Sequence, residues 1–333
     1  MRKISVIGIP IVYYTPETRI GFGVAGSVSF FNSGKNFHKS NVLFGLAYTQ
    51  NKQISIYIPY NLYFQKNRYW IYGELGYYKY LYFFYGINNC SKSDEQENYT
   101  VQFPRVRVSA LKKVRSNSYI GIRWVFDKYK YLQYESNKEL IKGNITGAKD
   151  GTVSGFGFLY NYDSRDHIQY PGKGSLLESM LYAESPLTGS DFTYWKLSIE
   201  FNKYFPLHWK RSVLAMQAVG VYNVGDVPFH QMALLGGSKR LRGYIDGRYR
   251  NKQMELFQAE YRIPVFWRLK MALFTGIGAI HNNLENYIKG CFVYNYGTGI
   301  RLEVDKSQKL HLRLDYGFGK NESGFYLTLG EAF

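Results

Sequence analysis

The sequence predicts an all-β protein, a 16-stranded antiparallel β-barrel that crosses a membrane. Three kinds of observation lead to this fold class: apolar and polar residues alternate along many segments, aromatic residues crowd the segment ends, and long connectors alternate with short ones. Aromatic residues make up 18% of the 333 residues, which excludes a disordered chain. Two cysteines are too few for a disulfide scaffold. No apolar run approaches the roughly 18 residues of a membrane-spanning helix.

The alternation has a period of two. Segments 120–127, 195–202 and 310–317 place mainly Leu, Ile, Trp and Phe at one parity and mainly Arg, Asp, Glu, Ser and Gly at the other. Successive side chains of a β-strand point to opposite faces, so each segment would have one apolar and one polar face. Helical geometry would scatter the same residues around the axis.

A soluble β-sandwich shows the same alternation of apolar and polar residues. Two further features therefore indicate that the apolar face meets lipid and not a protein core. Tyr, Phe and Trp at strand ends are typical of the aromatic girdles at the two lipid–water interfaces. Charges of both signs lie deep within the strands, which suits a water-filled lumen. The competing interpretation is a large soluble all-β protein such as a propeller, and it is disfavoured because no repeat of about 40–50 residues is present.

Connector lengths predict the topology. The connectors 132–151 and 223–251 are long and polar, 114–117 is short, and 32–40 and 163–173 are longer than ideal for short turns. Long external loops and short periplasmic turns are typical of an outer-membrane barrel with both termini in the periplasm. The predicted strands are 4–14, 19–31, 41–50, 53–63, 68–79, 101–113, 118–131, 152–162, 174–185, 191–204, 210–222, 252–263, 267–280, 292–304, 309–317 and 323–333.

These strands, at about 20 residues each with their turns, account for the whole length. We therefore predict one outer-membrane barrel domain over 1–333. Met1–Lys3 and the apolar run after it resemble a secretion signal, but no small-residue cleavage site follows before Tyr13. We interpret this stretch as the first strand and expect the natural precursor to carry an export signal upstream.

Several motifs resemble the BamA/TamA outer-membrane superfamily of bacterial surface antigen barrels, in family order from about Tyr14 to the end. The segment 236–244 is similar to the family's sixth external loop, whose fingerprint is an aliphatic residue, Arg, Gly and an aromatic residue. The segment 260–264 looks like the strand that follows this loop. The matching loop residues are Gly236, Gly237, Leu241, Arg242, Gly243 and Tyr244. The family's Asp-x-Arg-Asp … Pro-x-x-Gly turn resembles Asp163, Arg165, Asp166, Pro171 and Gly174.

The resemblance implies a barrel that assists insertion or translocation of proteins at the bacterial outer membrane, with the sixth loop folded into the lumen. The chain departs from the family pattern in two places. BamA and TamA carry POTRA repeats before the barrel, and none is present in 1–333. The family usually has an acidic residue where this chain has Gly276, so that part of the loop anchor is missing.

A loop anchor is predicted on the strand after the loop. Glu260 and Arg262 share a parity opposite to Phe257, so both should face the lumen. The planar guanidinium of Arg242 suits a carboxylate, and we hypothesise an Arg242–Glu260 ion pair that holds the loop against the wall. In the alternative, Arg242 belongs to a basic group with Lys239 that contacts anionic lipid headgroups. Surface charge alone favours this alternative, and the family resemblance favours the ion pair.

The seam between the first and last strands is a second candidate site. Pro10 has no N–H to donate, and Gly8 and Gly330 weaken packing nearby. A weak seam could open sideways, the route by which the family is thought to pass client strands into the bilayer. Alternatively, Pro10 lies where no hydrogen bond is lost. The stretch that ends at Phe333 alternates and resembles the sorting signal that the barrel-assembly machinery recognises.

No catalytic or metal site is predicted. The six His residues are scattered without the ligand spacing of a zinc site, and no nucleophile lies in a Gly-x-Ser-x-Gly setting. Arg313 with Asp315, and Arg301 with Glu303, share lumen-facing parity and are interpreted as a structural salt-bridge lattice. We expect no cofactor and no enzymatic activity. We also expect Cys90 and Cys291 to remain unpaired, because they belong to the third and seventh loops.

The expected partners follow from the membrane location and the family resemblance. They are outer-membrane lipid and lipopolysaccharide, and client proteins destined for the outer membrane or for secretion. Without POTRA repeats, an insertase needs to recruit accessory lipoproteins or periplasmic chaperones by another route. Nucleic acid is not expected, since the aromatic residues follow strand periodicity. The alternative function is a passive pore or structural barrel without insertase activity.

Overall fold

The computed structural model describes residues 3–15, 18–31, 40–87, 90, 96–136, 138–283, 285, 290–305 and 309–333. Within them the chain forms 18 strands, and 16 of these close into an antiparallel barrel in which β1 neighbours β18 and β11 neighbours β14. The strands are β1 (Lys3–Thr15), β2 (Arg19–Phe31), β3 (Ser40–Thr49), β4 (Ile54–Phe64), β5 (Tyr69–Phe84), β6 (Glu97–Arg115), β7 (Ser118–Tyr134), β8 (Gly151–Asp163), β9 (Gly174–Glu184), β10 (Tyr194–Pro206), β11 (Val213–Gly225), β12 (Ala233–Leu235), β13 (Tyr249–Asn251), β14 (Gln253–Phe266), β15 (Leu269–His281), β16 (Cys291–Asp305), β17 (Leu310–Phe318) and β18 (Ser323–Leu329).

The strand β12 and the strand β13 are not part of the wall. They pair with each other inside the connector between β11 and β14, and the sequence analysis did not predict this hairpin. The predicted connector 32–40 falls largely on residues 32–39, and the basic start of the signal-like stretch falls on residues 1–2; both lie outside the described residues. Within the described part of the chain, no helix is both long and apolar enough to cross a membrane.

The predicted strand count for the barrel is confirmed, but many strand ends differ, by up to five residues, and two of the larger differences have a clear cause. β5 continues to Phe84 because its aromatic residues keep pairing with β6, and the rings of Tyr82 and Tyr99 stack at 5.7 Å. The last strand ends at Leu329 instead of the predicted 333. Gly330 takes a left-handed conformation (φ +82°), and its N–H donates to the carbonyl of His311 at 2.9 Å.

The two faces of the wall have opposite chemistry. Large apolar side chains point outward, and Val6, Phe158 and Trp195 are 68%, 73% and 58% exposed. The other parity carries buried polar groups, among them Asp127 and Arg301, each 0% exposed. An apolar surface of this extent is stable only against lipid, so the period-two pattern of the sequence corresponds to a lipid-facing exterior and an ionic interior.

The end of β5 and the start of β16 are joined across the mouth of the barrel. Cys90 and Cys291 form a disulfide, which corrects the expectation that they remain unpaired. Their Cα atoms are 5.4 Å apart although 201 residues separate them in sequence. Described residues near both cysteines contact the connector between β11 and β14. Cys291 packs in one buried cluster with Tyr244 and Tyr249, and the guanidinium carbon of Arg248 lies 4.8 Å from the ring centroid of Tyr85.

Candidate functional site

The candidate site is built around residues 226–252, the connector between β11 and β14, called here the 226–252 segment. Its β12–β13 hairpin leads into a tight reversal in which the N–H of Gly237 donates to the carbonyl of Tyr244 at 2.9 Å. Leu241 and Tyr244 are both 0% exposed. The tip of this connector is therefore a packed structure with its own hydrogen bonds.

Arg242 is held between two carboxylates of the barrel wall. Its Nη2 lies 2.7 Å from Oε2 of Glu260 on β14, and its Nη1 lies 2.7 Å from Oδ2 of Asp315 on β17. The guanidinium also covers the ring of Phe274, 3.6 Å from the centroid. The carbonyl of Arg242 accepts a hydrogen bond from Nδ2 of Asn295 at 2.7 Å. The bonds of Arg242 to Glu260 and Asp315 are charge-assisted, and such hydrogen bonds are about twice as strong as neutral ones.

Glu260 is the carboxylate on which the arginines converge. Besides Arg242 it accepts from Nε of Arg262 at 2.8 Å and from Nη2 of Arg301 at 3.1 Å. Arg301 also pairs with Asp315. All of these groups are almost completely buried. A buried charge is tolerated only when it is paired and hydrogen-bonded, so these residues form one interdependent network.

The charge of this network is close to balanced. The network contains four arginines and three carboxylates, so the arginines outnumber the carboxylates by one. One of these arginines, Arg313, also donates to the carbonyl of Ser238 in the 226–252 segment at 2.8 Å. The network consists of Arg242, Arg262, Arg301, Arg313, Glu260, Asp315 and Glu331. Losing one carboxylate would leave two excess cations in a buried space, whereas losing one arginine charge would balance the set.

The residues after Arg242 lie against β17 and β18 at backbone distance. Gly243 has φ +119°, and a Cβ at this position would lie 2.8 Å from the carbonyl carbon of Phe318. Its N–H donates to the hydroxyl of Tyr326 at 3.0 Å, which in turn donates to the carbonyl of Tyr244 at 2.8 Å. Only glycine allows this approach at this backbone conformation.

Buried phenols complete this contact. The hydroxyl of Tyr244 donates to the carbonyl of Tyr294 at 2.8 Å. Burial raises the pKa of Tyr244 and raises the pKa of Tyr249 to about 12. Both phenols therefore stay protonated at neutral pH and act as hydrogen-bond donors.

The first part of the 226–252 segment contacts the opposite side of the barrel. Phe229 is 0% exposed and meets the rings of Phe84 and Tyr99 edge-on at 5.2 and 5.3 Å. Nε2 of Gln231 donates to the hydroxyl of Tyr129 on β7 at 2.9 Å. Since β5–β7 and β14–β18 are far apart in the strand order, the segment bridges two sides of the barrel.

The seam between β1 and β18 has little registered pairing. Among the described residues, these strands are registered at one pair, Tyr14 with Leu327, whereas β1 and β2 are registered at 13 pairs. Gly8 and Pro10 lie opposite Gly26 and Val24 of β2. The seam is therefore the part of the wall with the least strand pairing in the described chain.

The residues after β18 turn away from the seam. Glu331 lies 3.3 Å from Nε of Arg301, and the carbonyl of Phe333 accepts from Nη2 of Arg262 at 2.9 Å. Phe333, which the sequence analysis assigned to the seam, thus contacts the arginine network, whereas Gly330, assigned to the same seam, donates its N–H to the carbonyl of His311 on β17.

The residues of the predicted turn motif stabilise the connector between β8 and β9. The carboxylate of Asp163 pairs with the guanidinium of Arg165 at 2.7 Å. Asp166 accepts backbone N–H groups of Gly172 and Lys173 at 2.8 and 3.2 Å. Pro171 is buried, and Gly174 has φ +103°, where a Cβ would lie 2.2 Å from the carbonyl oxygen of Ser164.

The ionic groups of the site are arginines and carboxylates that pair with one another and hold protein segments together. In the described part of the chain, no group of three or more His, Cys, Asp or Glu residues could hold a metal ion.

Comparison with known proteins identifies the family. The model of the Omp85 superfamily domain matches residues 22–333. The chain belongs to the Omp85 superfamily. It is an outer-membrane β-barrel related to BamA, as the motifs in its sequence indicated.

Solved structures of other Omp85 barrels have the same fold. BamA from Haemophilus ducreyi lacking POTRA domains 1–3 superposes with a TM-score of 0.65 at 16% identity, over 99% of this chain and 70% of that one. CdiB from Acinetobacter baumannii gives 0.62 at 12% identity, over 99% of this chain and 60% of that one. CdiB from Escherichia coli gives 0.65 at 10% identity, over 98% and 62%. This Omp85 chain thus spans less than two thirds of either CdiB.

No curated protein sequence is similar enough to this chain to count as a relative. Within the candidate site of this Omp85 barrel, the contacts that the sequence did not predict include those of Asp315 with Arg242, Asn295 with the Arg242 carbonyl, and Tyr326 with Gly243. The parity of Asp315 had placed it in the lumen, but no sequence signal paired it with the 226–252 segment.

Proposed function

We propose that this Omp85 barrel assists the insertion or translocation of proteins at the bacterial outer membrane. In this proposal the 226–252 segment is the sixth external loop, folded into the lumen, and both termini are periplasmic. The client is a protein destined for the outer membrane or for secretion. The barrel domain is proposed to cover residues 1–333.

The observation that carries the proposal is the seam. One registered pair joins β1 and β18 among the described residues, so the backbone groups of both strands could pair with a client strand. The buried arginine network supports the same function, since it holds the 226–252 segment on β14 and on β17, and β17 is the neighbour of the seam strand β18. Lipoprotein, chaperone and lipopolysaccharide partners remain part of this proposal.

A disulfide across the seam tests the proposal. Tyr14→Cys with Leu327→Cys joins the registered pair, in a Cys90→Ser, Cys291→Ser background that removes the native disulfide. We expect the oxidised barrel, reconstituted in vesicles, to lose insertion of a small outer-membrane barrel client, and a reductant to restore it. The control is Val6→Cys with Val28→Cys, an opposed pair between β1 and β2.

Two outcomes would contradict the proposal. Full insertion activity of the oxidised seam variant would exclude lateral opening. Large and steady ion currents in planar bilayers, without any effect on client folding, would instead favour the passive pore.

A further inference from the structure

The outer face of the barrel has an apolar trench at the end where the short turns 65–68 and 116–117 lie. It runs over β6 between β5 and β7 and has a volume of about 560 Å³. Tyr69 and Ile71 line one side, and Ile120 and Ile122 line the other. Ala110 forms the floor.

The trench results from the strand register. Ala110 lies opposite Ile71 of β5 and Ile122 of β7, so a small side chain is flanked by two large ones. In the neighbouring row, Lys112 lies opposite Tyr69 and Ile120. On the outward face of β6, the small side chain of Ala110 therefore leaves a depression next to the cation Lys112.

The cation at the end of the trench is unusual for a lipid-facing wall. A lysine on this face is costly at the bilayer midplane, but the cost falls to about 0–1 kcal/mol near the interface. Lys112 is exposed, and among the described residues no carboxylate lies within ion-pair distance of it. Its long aliphatic chain can follow the apolar wall while the ammonium group reaches the interface.

The two turns beside the trench add further positive charge. The stretches 64–73 and 108–118 contain five cations and no carboxylate. Arg68 lies beside the trench, with its guanidinium 5.8 Å from the ring centroid of Tyr69. The stretches are also joined, since the N–H of Lys113 donates to the carbonyl of Arg68 at 2.8 Å. The five cations are Lys66, Arg68, Lys112, Lys113 and Arg115.

We infer that this trench is a specific site for an anionic phospholipid, which places an acyl chain over Ala110 and its phosphate between Lys112 and Arg68. Apolar walls favour a hydrocarbon chain. Lys112 and Arg68 form no ion pair with a carboxylate of the described chain, and two such cations favour a phosphate at the headgroup level. The site goes beyond the proposed insertion function and depends only on the chain being an outer-membrane barrel.

Lipid retention tests the site. The purified full chain is equilibrated in mixed micelles that contain equal amounts of phosphatidylglycerol and phosphatidylcholine with identical acyl chains, and the bound lipid is identified by native mass spectrometry. We expect a retained phosphatidylglycerol, and about a tenfold loss of its retention in Lys112→Gln, the effect of one charge-assisted bond. Lys128→Gln is the matched control, an exposed lysine towards the other end of β7.

A second variant tests the acyl-chain part of the site. Ala110→Phe fills the floor of the trench and should reduce retention about tenfold even with Lys112 in place, whereas Val108→Phe, one outward position along β6, should not. Equal retention of the two phospholipids by the unmodified chain would overturn the proposal. So would preferential retention of lipid A when it replaces phosphatidylglycerol, or displacement of the bound lipid by inorganic phosphate alone.

Discussion

At the scale of single residues, Glu260 is the side chain whose loss should weaken the site most. Glu260→Gln removes the carboxylate that three arginines share and leaves two uncompensated cations in the network. Breaking a buried ion pair costs about 3–5 kcal/mol. We expect trypsin to cleave the 226–252 segment after Lys239 or Arg240 much faster, and the folded barrel to melt at lower temperature.

Two comparison variants sharpen this prediction. Arg242→Gln should lower the melting temperature less, because it leaves three arginines with three carboxylates, although it removes both ion pairs between the segment and the wall. Glu255→Gln removes a carboxylate of the same strand that pairs with His281, and trypsin resistance should stay unchanged. Unaltered protease resistance in Glu260→Gln would show that the Arg242–Glu260 ion pair does not hold the segment.

The contact of Gly243 with β17 gives a second prediction at this scale. Gly243→Ala introduces a Cβ 2.8 Å from the Phe318 carbonyl carbon at φ +119°, so the segment must move away from the wall. Strain and a lost contact together should cost about 2–4 kcal/mol in the free energy of unfolding. Gly189→Ala is the matched control, with φ +83° but open space around the new Cβ. Equal losses in both variants would mean that backbone strain alone matters.

At the scale of elements, the residues after β18 connect the last strand to the arginine network. Glu331 follows β18 and contacts Arg301, so Glu331→Gln should loosen the C-terminal end of β18, the strand that forms the seam with β1. We expect faster hydrogen exchange of the amides of 325–329 in this variant. Glu303→Gln, whose ion-pair partner is Lys270 on β15, should leave these exchange rates unchanged. Equal protection of β18 in both variants would refute the connection.

At the scale of the whole molecule, the sequence predicted the barrel and its strand number because alternation is a local property that each strand repeats. The parity of Glu260 likewise placed it on the buried face. The partner of a buried wall residue depends on how a long connector packs against the wall, and no local pattern encodes that. Hence Asp315 was assigned to a lattice with Arg313, and its contact with Arg242 was not predicted.

The same limit explains the error about the cysteines. Loops far apart in strand order were expected to stay apart, because the sequence gives no sign that a packed connector brings them together. The early end of β18 has a related cause. Residues 330–333 alternate as a strand would, but the contact of Glu331 with Arg301 draws them out of the wall.

The Cys90–Cys291 bond has a consequence for how the molecule matures. Its two thiols lie 201 residues apart, so the bond closes a ring containing most of the polypeptide, which lowers the entropy of the unfolded chain by an amount worth on the order of 5 kcal/mol. Cys90 is synthesised long before Cys291, so it has no intramolecular partner until most of the chain exists. With two cysteines in the chain, an intramolecular bond can join only this pair, and oxidation therefore ties a loop made early in synthesis to a strand made late.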